Sequence, residues 1–299
     1  MLPERHRGVP VIAVSCVLFA AMAVCARLLA GRMDAGEQVF IRFVVGLLGI
    51  IPVYVWRRRL PQIRRPLLWA ARGLVGGGAV YFYFVAIEHL EVGPATLLNY
   101  MAPCWAALFA GFFLRERLTA NGILGLIVAT AGAGIVAWST SPALPGLSLG
   151  IGAWAGIVSA VLSGGAMTVV KALRSDTDAP TVFLSFCLFG ALWSIPSALS
   201  GGWVVPSGDL FWPSLALGLF SLAAQLLFTW SFKYVSATAG SAATQLTPAF
   251  SWVFGVAVLG ESSSRTAIVG ALICLLGVSW GAGLLASRRG TATQVSRQS

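Results

Sequence analysis

Along this chain, long uninterrupted apolar stretches alternate with short clusters of charge, proline and glycine, and ten such stretches stand out. They cover residues 9–30, 38–56, 67–87, 95–114 and 121–138. After a Pro/Gly/Ser-rich linker at 141–148 come residues 149–172, 181–199, 213–232, 239–259 and 266–286. A helix needs about 20 apolar residues to cross a hydrocarbon core about 30 Å thick, because each residue rises about 1.5 Å. The apolarity is continuous, whereas barrel strands are short and alternate. The pattern predicts an all-α integral membrane protein with ten transmembrane helices and only short loops between them. The first stretch follows two arginines, as a signal peptide would, but it is too long and has no cleavage pattern, so it is read as a retained first helix.

Composition strengthens this reading. Of 299 residues, 58% are hydrophobic and 10% are charged, against about 25% charged in an ordinary soluble domain. The formal charge of +10 invites a nucleic-acid partner until the cations are placed on the helices. With the N-terminus inside, fifteen of the twenty Lys and Arg fall in cytoplasmic segments. Only Arg32 and Arg265 fall outside, and Arg27, Arg42 and Arg72 lie within spans. Cations accumulate on the cytoplasmic side of membrane proteins. Both termini are therefore predicted cytoplasmic, and no charge is left for a nucleic-acid role. All five cysteines sit in apolar runs without a CxxC or Cys/His cluster, so no disulfide framework, metal site or cofactor is expected.

The second half of the chain repeats the first. At a constant offset, Gly73, Leu74, Ala79, Pro103, Phe109, Leu114, Glu116, Gly125 and Gly132 match Gly218, Leu219, Ala224, Pro248, Phe254, Leu259, Glu261, Gly270 and Gly277. Earlier positions follow with small shifts, Pro52 matching Pro196. The units are residues 1–140 and 149–286, with 287–299 a disordered cytoplasmic tail. Five helices per unit is an odd number, so the second copy enters the membrane from the opposite side. Inverted repeats imply a pseudo-two-fold axis in the membrane plane, a substrate site near the midplane between the halves, and alternating access.

The segments Ala102-Pro103 through Arg115-Glu116 and Thr247-Pro248 through Gly260-Glu261 resemble the repeat ends of EamA-type members of the drug/metabolite transporter superfamily. Within it, the length, the charge and the aromatic-rich third span are most like the YddG-like branch of aromatic amino-acid exporters. The resemblance covers about residues 9–286. It implies an inner-membrane carrier exporting amino acids, aromatic and other small neutral ones; two pseudo-symmetric halves in one chain are compatible with a working monomer. Carriers of nucleotide sugars, other metabolites or organic-cation drugs are the alternatives. A four-helix drug pump would be shorter and carry a glutamate in its first span, which has none here.

Candidate chemistry follows from residues that membranes tolerate poorly. Pro103 and Pro248 fall at matching places near mid-bilayer, where a proline frees a backbone carbonyl and kinks a helix. They are flanked by Asn99, Tyr100, Thr244, Gln245 and Thr247, which suggests a hydrated cavity, although kinks and interhelical hydrogen bonds would use the same residues. Tyr100 and Gln245 are repeat mates and should face one cavity. Tyr81 and Phe84 share a helix face with Glu88. With Trp105, Trp154 and Trp230 they could line a pocket for an aromatic, aliphatic or cationic ligand, or simply pack between helices. Gly77 and Gly164 belong to glycine clusters that serve as hinges or as close-packing points.

Arg42, buried near the outer face, either pairs with Glu88 or attracts a substrate carboxylate. Arg27, Arg72 and Lys171 lie close enough to helix ends to snorkel into water. No Asp or Glu lies near mid-membrane, which argues against a carboxylate proton relay. An enzyme would need a nucleophile and base, an acid pair or a metal set. The only histidines, His6 and His89, lie in the tail and an outer loop. A channel would need a polar or charged ring that nothing specifies.

Overall fold

The computed structural model describes residues 4–29, 31–58, 60–89, 98–116, 118–139, 150–200, 204–260 and 265–281. Among these, all regular structure is helical. The first half contains α1 (Glu4–Leu29), α2 (Ala35–Arg57), α3 (Pro66–His89), α4 (Ala102–Phe113) and α5 (Ala120–Ser139). The second half contains α6 (Ile151–Leu173), α7 (Ala179–Ser200), a 3-10 turn at Gly208–Leu210, α8 (Phe211–Ser231), α9 (Ala237–Ala243), α10 (Leu246–Leu259) and α11 (Arg265–Gly281). Each of the ten predicted stretches holds a helix. The linker at 141–148 and the tail at 287–299 lie outside the described residues.

Among the described residues, six segments are long and apolar enough to cross a bilayer: Gly8–Leu29, Gly36–Arg57, Ile151–Leu173, Ala179–Pro196, Gly208–Ser231 and Ala237–Leu259. Shorter apolar helices are Ala102–Phe113, Ala120–Ile135 and Arg265–Gly281. The outer faces of the helices carry exposed large apolar side chains, among them Val55, Leu67, Phe112, Phe113, Trp138, Trp212 and Leu276. Bare to water, this surface would drive aggregation; against lipid it is matched.

The two halves pack by the same rules. The pair α1–α8 corresponds to α6–α3 when the halves are exchanged, α2–α8 corresponds to α7–α3, and α1–α10 corresponds to α6–α4. The pairs α2–α7 and α5–α11 map onto themselves. Lipid tails are as apolar as the helices they would replace, so hydrophobicity alone does not hold membrane helices together; close backbone approach does. The α5–α11 seam is the extreme case. A β-carbon on Gly132 would lie 2.3 Å from the Cys274 backbone nitrogen, and one on Gly277 would lie 2.3 Å from that of Ala129. Gly73 meets the Ser185 carbonyl in the same way, at 2.5 Å, where α3 crosses α7.

The matched helix ends also share a conformation. Arg115 (φ 53°) and Gly260 (φ 68°) are repeat mates, and both adopt the left-handed form after α4 and α10, the usual way to stop a helix cleanly. That turn aims Glu116 at the start of α9, where its two carboxylate oxygens accept from the Ala237 backbone N–H at 2.9 and 3.0 Å. The negative charge also complements the positive end of the helix. Glu116→Ala is expected to cost about 1–2 kcal/mol, as capping losses do, read as a lower unfolding temperature of the protein in detergent. An unchanged unfolding temperature would mean that the carboxylate leaves water without gain. Its mate Glu261 lies outside the described residues.

On one side of the bundle the α2–α3 connection is tied to the α6–α7 turn. Arg65 pairs with Asp176 at 2.6 Å and Arg57 with Asp178 at 2.8 Å, while the Tyr54 hydroxyl lies 2.9 Å from Thr181 Oγ1. Desolvation pushes the Asp176 carboxyl up, but hydrogen bonds from Arg65 and Thr177 and the charges of Arg65 and Arg64 outweigh it and hold it below the ordinary range. Because its pKa is depressed by folding, the contribution of this tie is complete above the ordinary carboxylate pKa and is lost only as pH falls through the lowered value. On the other side, Arg32 pairs with Asp209.

Candidate functional site

Between the halves lies a cleft of about 270 Å³ lined by α1, α2, α3, α4, α6, α7, α8 and the 244–247 segment. Two helix breaks face each other across it. In the second half, the N–H groups of Thr244, Gln245 and Thr247 each bond three residues back rather than four. This tight stretch separates α9 from α10, just before Pro248. In the first half, Met101 and Cys104 do the same. Pro103 therefore does not kink the middle of a helix, as its depth suggested. It stands in the first turn of α4, where a missing N–H removes no intrahelical bond. Pro248, third residue of α10, likewise begins a helix.

The breaks are wired to each other and to their neighbours. The side-chain amide of Gln245, 1% exposed, donates to the Tyr100 carbonyl and to Thr130 Oγ1, each at 2.9 Å. Repeat mates thus bond directly across the site. The Asn99 amide donates to Ser159 Oγ at 2.8 Å, and that hydroxyl donates to the Ala79 carbonyl at 2.8 Å, joining the first break to α6 and α3. Asn99, Tyr100, Thr244, Gln245 and Arg42 all line the cleft. Repeat mates face it in pairs: Val80 with Gln225, Asn99 with Thr244, Tyr100 with Gln245, and Ala102 with Thr247.

The aromatic residues expected here are mostly elsewhere. On α3 the cleft takes Arg72, Gly76, Ala79 and Val80, a helical face of period three to four. Tyr81, 100° further round, turns instead towards Trp193, with ring centres 5.4 Å apart, beside a separate void of about 20 Å³. The Phe84 and Glu88 side chains lie outside the described residues. Trp154 and Trp230 are 58% and 38% exposed on the outer surface, and Trp230 stacks on Tyr234. Trp105 packs on Phe109 beside α6. The rings that do line the cleft are Phe19, Tyr100, Phe186 and Phe228.

The two glycines considered as hinges sit at tight crossings. A β-carbon on Gly164 would fall 2.7 Å from the Ala106 nitrogen, and one on Gly77 would fall 3.0 Å from the Gly190 α-carbon.

Arg72 is the residue that sequence reasoning misplaced. Counted from the helix end it looked able to snorkel. Instead it is 3% exposed, lines the cleft, and holds its guanidinium carbon 4.3 Å from the centre of the Phe186 ring. Its Nε and Nη1 have no hydrogen-bond partner, nor does Nε of Arg42. Arg42 approaches the same ring at 5.8 Å. Gly76 makes room for this head group, since a β-carbon there would fall on Arg72 Nη1. The signal available in the sequence was the spacing Arg72–Gly76–Ala79–Val80, one face of a helix with a small residue one turn beyond the cation. Placing an arginine at the centre of a membrane helix costs about 2.5–3.5 kcal/mol on insertion scales, so two of them facing one cleft call for a functional explanation.

Among the described residues no group of three metal-ligating side chains occurs, and the lining of the cleft contains neither nucleophile–base pair nor carboxylate. Its means are hydrogen-bonding amides and hydroxyls, aromatic faces and two cations: it can bind and orient a small polar molecule.

Comparison with known proteins agrees with this arrangement. The chain is 29% identical over 236 residues to the pseudopaline exporter of Pseudomonas aeruginosa, covering 77% of this chain and 80% of that protein. It is 27% identical over 194 residues to a probable terminal-alkyne amino-acid exporter of Streptantibioticus cattleyicolor, covering 64% of each. It is 25% identical over 276 residues to mouse solute carrier family 35 member G1, covering 87% of this chain and 73% of that one. A solved crystal structure with 20% identity superposes with a TM-score of 0.80 over 95% of this chain and 99% of its own, which shows a shared fold. The EamA-like transporter family profile matches twice, at residues 6–138 and 150–282. The two halves are therefore two EamA units, and the chain is a multi-pass membrane transporter that belongs to the EamA-like transporter family.

Proposed function

We propose that this protein is an inner-membrane carrier that exports an amino acid or an amino-acid-derived metabolite, taking it through the central cleft by alternating access. The observation that carries this reading is the facing pair of helix breaks, Asn99–Met101 and Thr244–Gln245, joined by the Gln245–Tyr100 hydrogen bond. A break beside a proline leaves backbone carbonyls and helix termini for a ligand, the arrangement that carriers with inverted repeats use at their midplane. The exchange-symmetric packing of the halves supports an equivalent second conformation, in which the halves trade roles. Ten membrane crossings with both termini in the cytoplasm follow from the distribution of Lys and Arg. In that orientation the Arg57 and Arg65 ties lie on the cytoplasmic side and the Arg32–Asp209 pair lies outside.

The size of the cleft, about 270 Å³, suits a molecule of amino-acid size and lies at the small end of ligand pockets. A nucleotide sugar is too large for it. The exporters of pseudopaline and of a terminal-alkyne amino acid among its relatives favour a substrate of this kind over an organic-cation drug, which two buried arginines would repel. Placement in the aromatic branch is less well supported, because Tyr81, Trp154 and Trp230 lie away from the cleft.

Counterflow tests the reading. Purified protein in vesicles preloaded with a mixture of unlabelled amino acids should trap labelled amino acid from outside, saturably and without an imposed ion gradient. A folded protein that traps no member of a panel of neutral, acidic and basic amino acids would refute it. Flux that rises linearly with concentration would point to a channel.

A further inference from the structure

The charge of the cleft is one-sided. Of the described residues that line it, Arg42 and Arg72 are the only charged ones, and no Asp or Glu is among them. Both guanidinium groups converge on the Phe186 ring, from α2 and α3. Three of their nitrogens are buried without a partner. A guanidinium presents a fixed fork of N–H donors that matches a carboxylate oxygen pair. Left without one in a low-dielectric site it carries an unrelieved desolvation cost. Two such groups, each without a carboxylate partner among the described residues, offer a bound ligand two positions for negative charge.

The other half does not share this feature. The repeat mate of Arg72 is Leu217, and the residue matching Arg42 in the second half is Ser185. Duplicated architecture builds the cleft, and the cations are an addition to one half of it. Gly76 fits the same purpose, because only the absence of a side chain there leaves space for the Arg72 head group. The faces of Phe186, Phe228 and Phe19 supply an apolar wall for the carbon skeleton of a ligand.

We propose that Arg42 and Arg72 are substrate-binding residues that each take a carboxylate, and that the transported molecule is a net anion with at least two carboxylates. This rests on the carrier reading above and narrows its substrate from amino acids and their derivatives in general to acidic amino acids or multi-carboxylate conjugates. Once bound, the substrate itself neutralises the cleft. A loaded carrier can then pass through the occluded state with its charges paired, whereas the empty one faces the unpaired cations.

Glutamate and glutamine make the sharpest probe pair, because they have the same size and differ by one carboxylate. In vesicles holding the full-length protein, labelled glutamate is expected to be trapped at least tenfold faster than labelled glutamine at equal concentration. Aspartate and succinate should compete, while phenylalanine, leucine and inorganic phosphate should not. Arg72→Gln and Arg42→Gln should each reduce glutamate counterflow at least tenfold and narrow the glutamate-to-glutamine ratio, with Arg72→Lys retaining part of it. A structural role alone would lower both fluxes equally and leave the ratio intact. Gly76→Ala, which displaces the head group and keeps the charge, should raise the half-saturating glutamate concentration. Wild-type selectivity decides the matter even if an arginine variant fails to fold. Equal trapping of glutamate and glutamine overturns the proposal, as do preference for neutral amino acids, competition by phosphate rather than dicarboxylates, and an Arg72→Gln protein with unchanged selectivity. Saturable trapping of neutral amino acids alone would overturn it and leave the carrier standing, whereas no trapping at all would overturn both.

Discussion

Replacing Gly132 with leucine is expected to leave no monodisperse protein in a detergent extract. The reason is geometric. At this position even a methyl group would lie 2.3 Å from the Cys274 nitrogen and 2.7 Å from the Gly270 carbonyl oxygen. These are backbone atoms, which no rotamer change can move aside. Overpacking a core costs about 1–3 kcal/mol when side chains can yield; here two helices must separate along their length, so the loss exceeds that range. Gly277, its mate on α11, meets Ala129 in the same way and should behave alike. The control is Gly165→Ala, where the nearest atom would be 3.5 Å away and helix propensity improves by up to about 1 kcal/mol. Size-exclusion profiles of the three variants check this. A wild-type profile for Gly132→Leu would mean that α5 and α11 do not touch backbone to backbone.

The second large effect belongs to Gln245. Its amide bridges the two halves, and Gln245→Ala leaves the Tyr100 carbonyl and the Thr130 hydroxyl without that donor. Both bonds are part-buried, and losing a hydrogen bond of this kind costs about 0.5–1.5 kcal/mol. The bridge also sets the relation between the two helix breaks. The variant should therefore unfold at a lower temperature and, where it folds, transport at least tenfold more slowly. Thermal unfolding of purified protein and counterflow with wild-type substrate measure the two effects separately. A variant matching wild type in both would show that the breaks are held in place by packing alone.

Much of this architecture was legible in the sequence because it rests on one-dimensional signals. Apolar run length located the helices. The repeat offset joined rare letters, the Pro103–Pro248 and Glu116–Glu261 pairs, that chance does not align. It also paired Asn99 with Thr244 and Tyr100 with Gln245, and the prolines beside both pairs put them at mid-bilayer depth, where mates close to the axis can meet. What stayed hidden depends on rotation about a helix axis and on neighbours distant in the chain. Tyr81 and Val80 are adjacent in sequence but point 100° apart, and only contact with Trp193 reveals which faces away from the cleft. Trp154 and Trp230 lie in the right helices on the wrong sides. Depth counted along its own helix puts Arg72 within snorkelling reach of water, and that count carries no information about the neighbouring helices. The α7 ring that covers Arg72, Phe186, is 114 positions away in the chain.

In a carrier of this kind, one cleft between two exchangeable halves is reached from either side of the membrane in turn. Ser163, on the cleft wall contributed by α6, offers the most direct test. With the five native cysteines replaced, Ser163→Cys can be exposed to a membrane-impermeant thiol reagent applied to right-side-out or inside-out vesicles. Alternating access predicts labelling from both sides, slowed on each by an excess of transported substrate. Labelling from one side only, unaffected by substrate, would contradict it and describe a fixed pocket instead of a carrier.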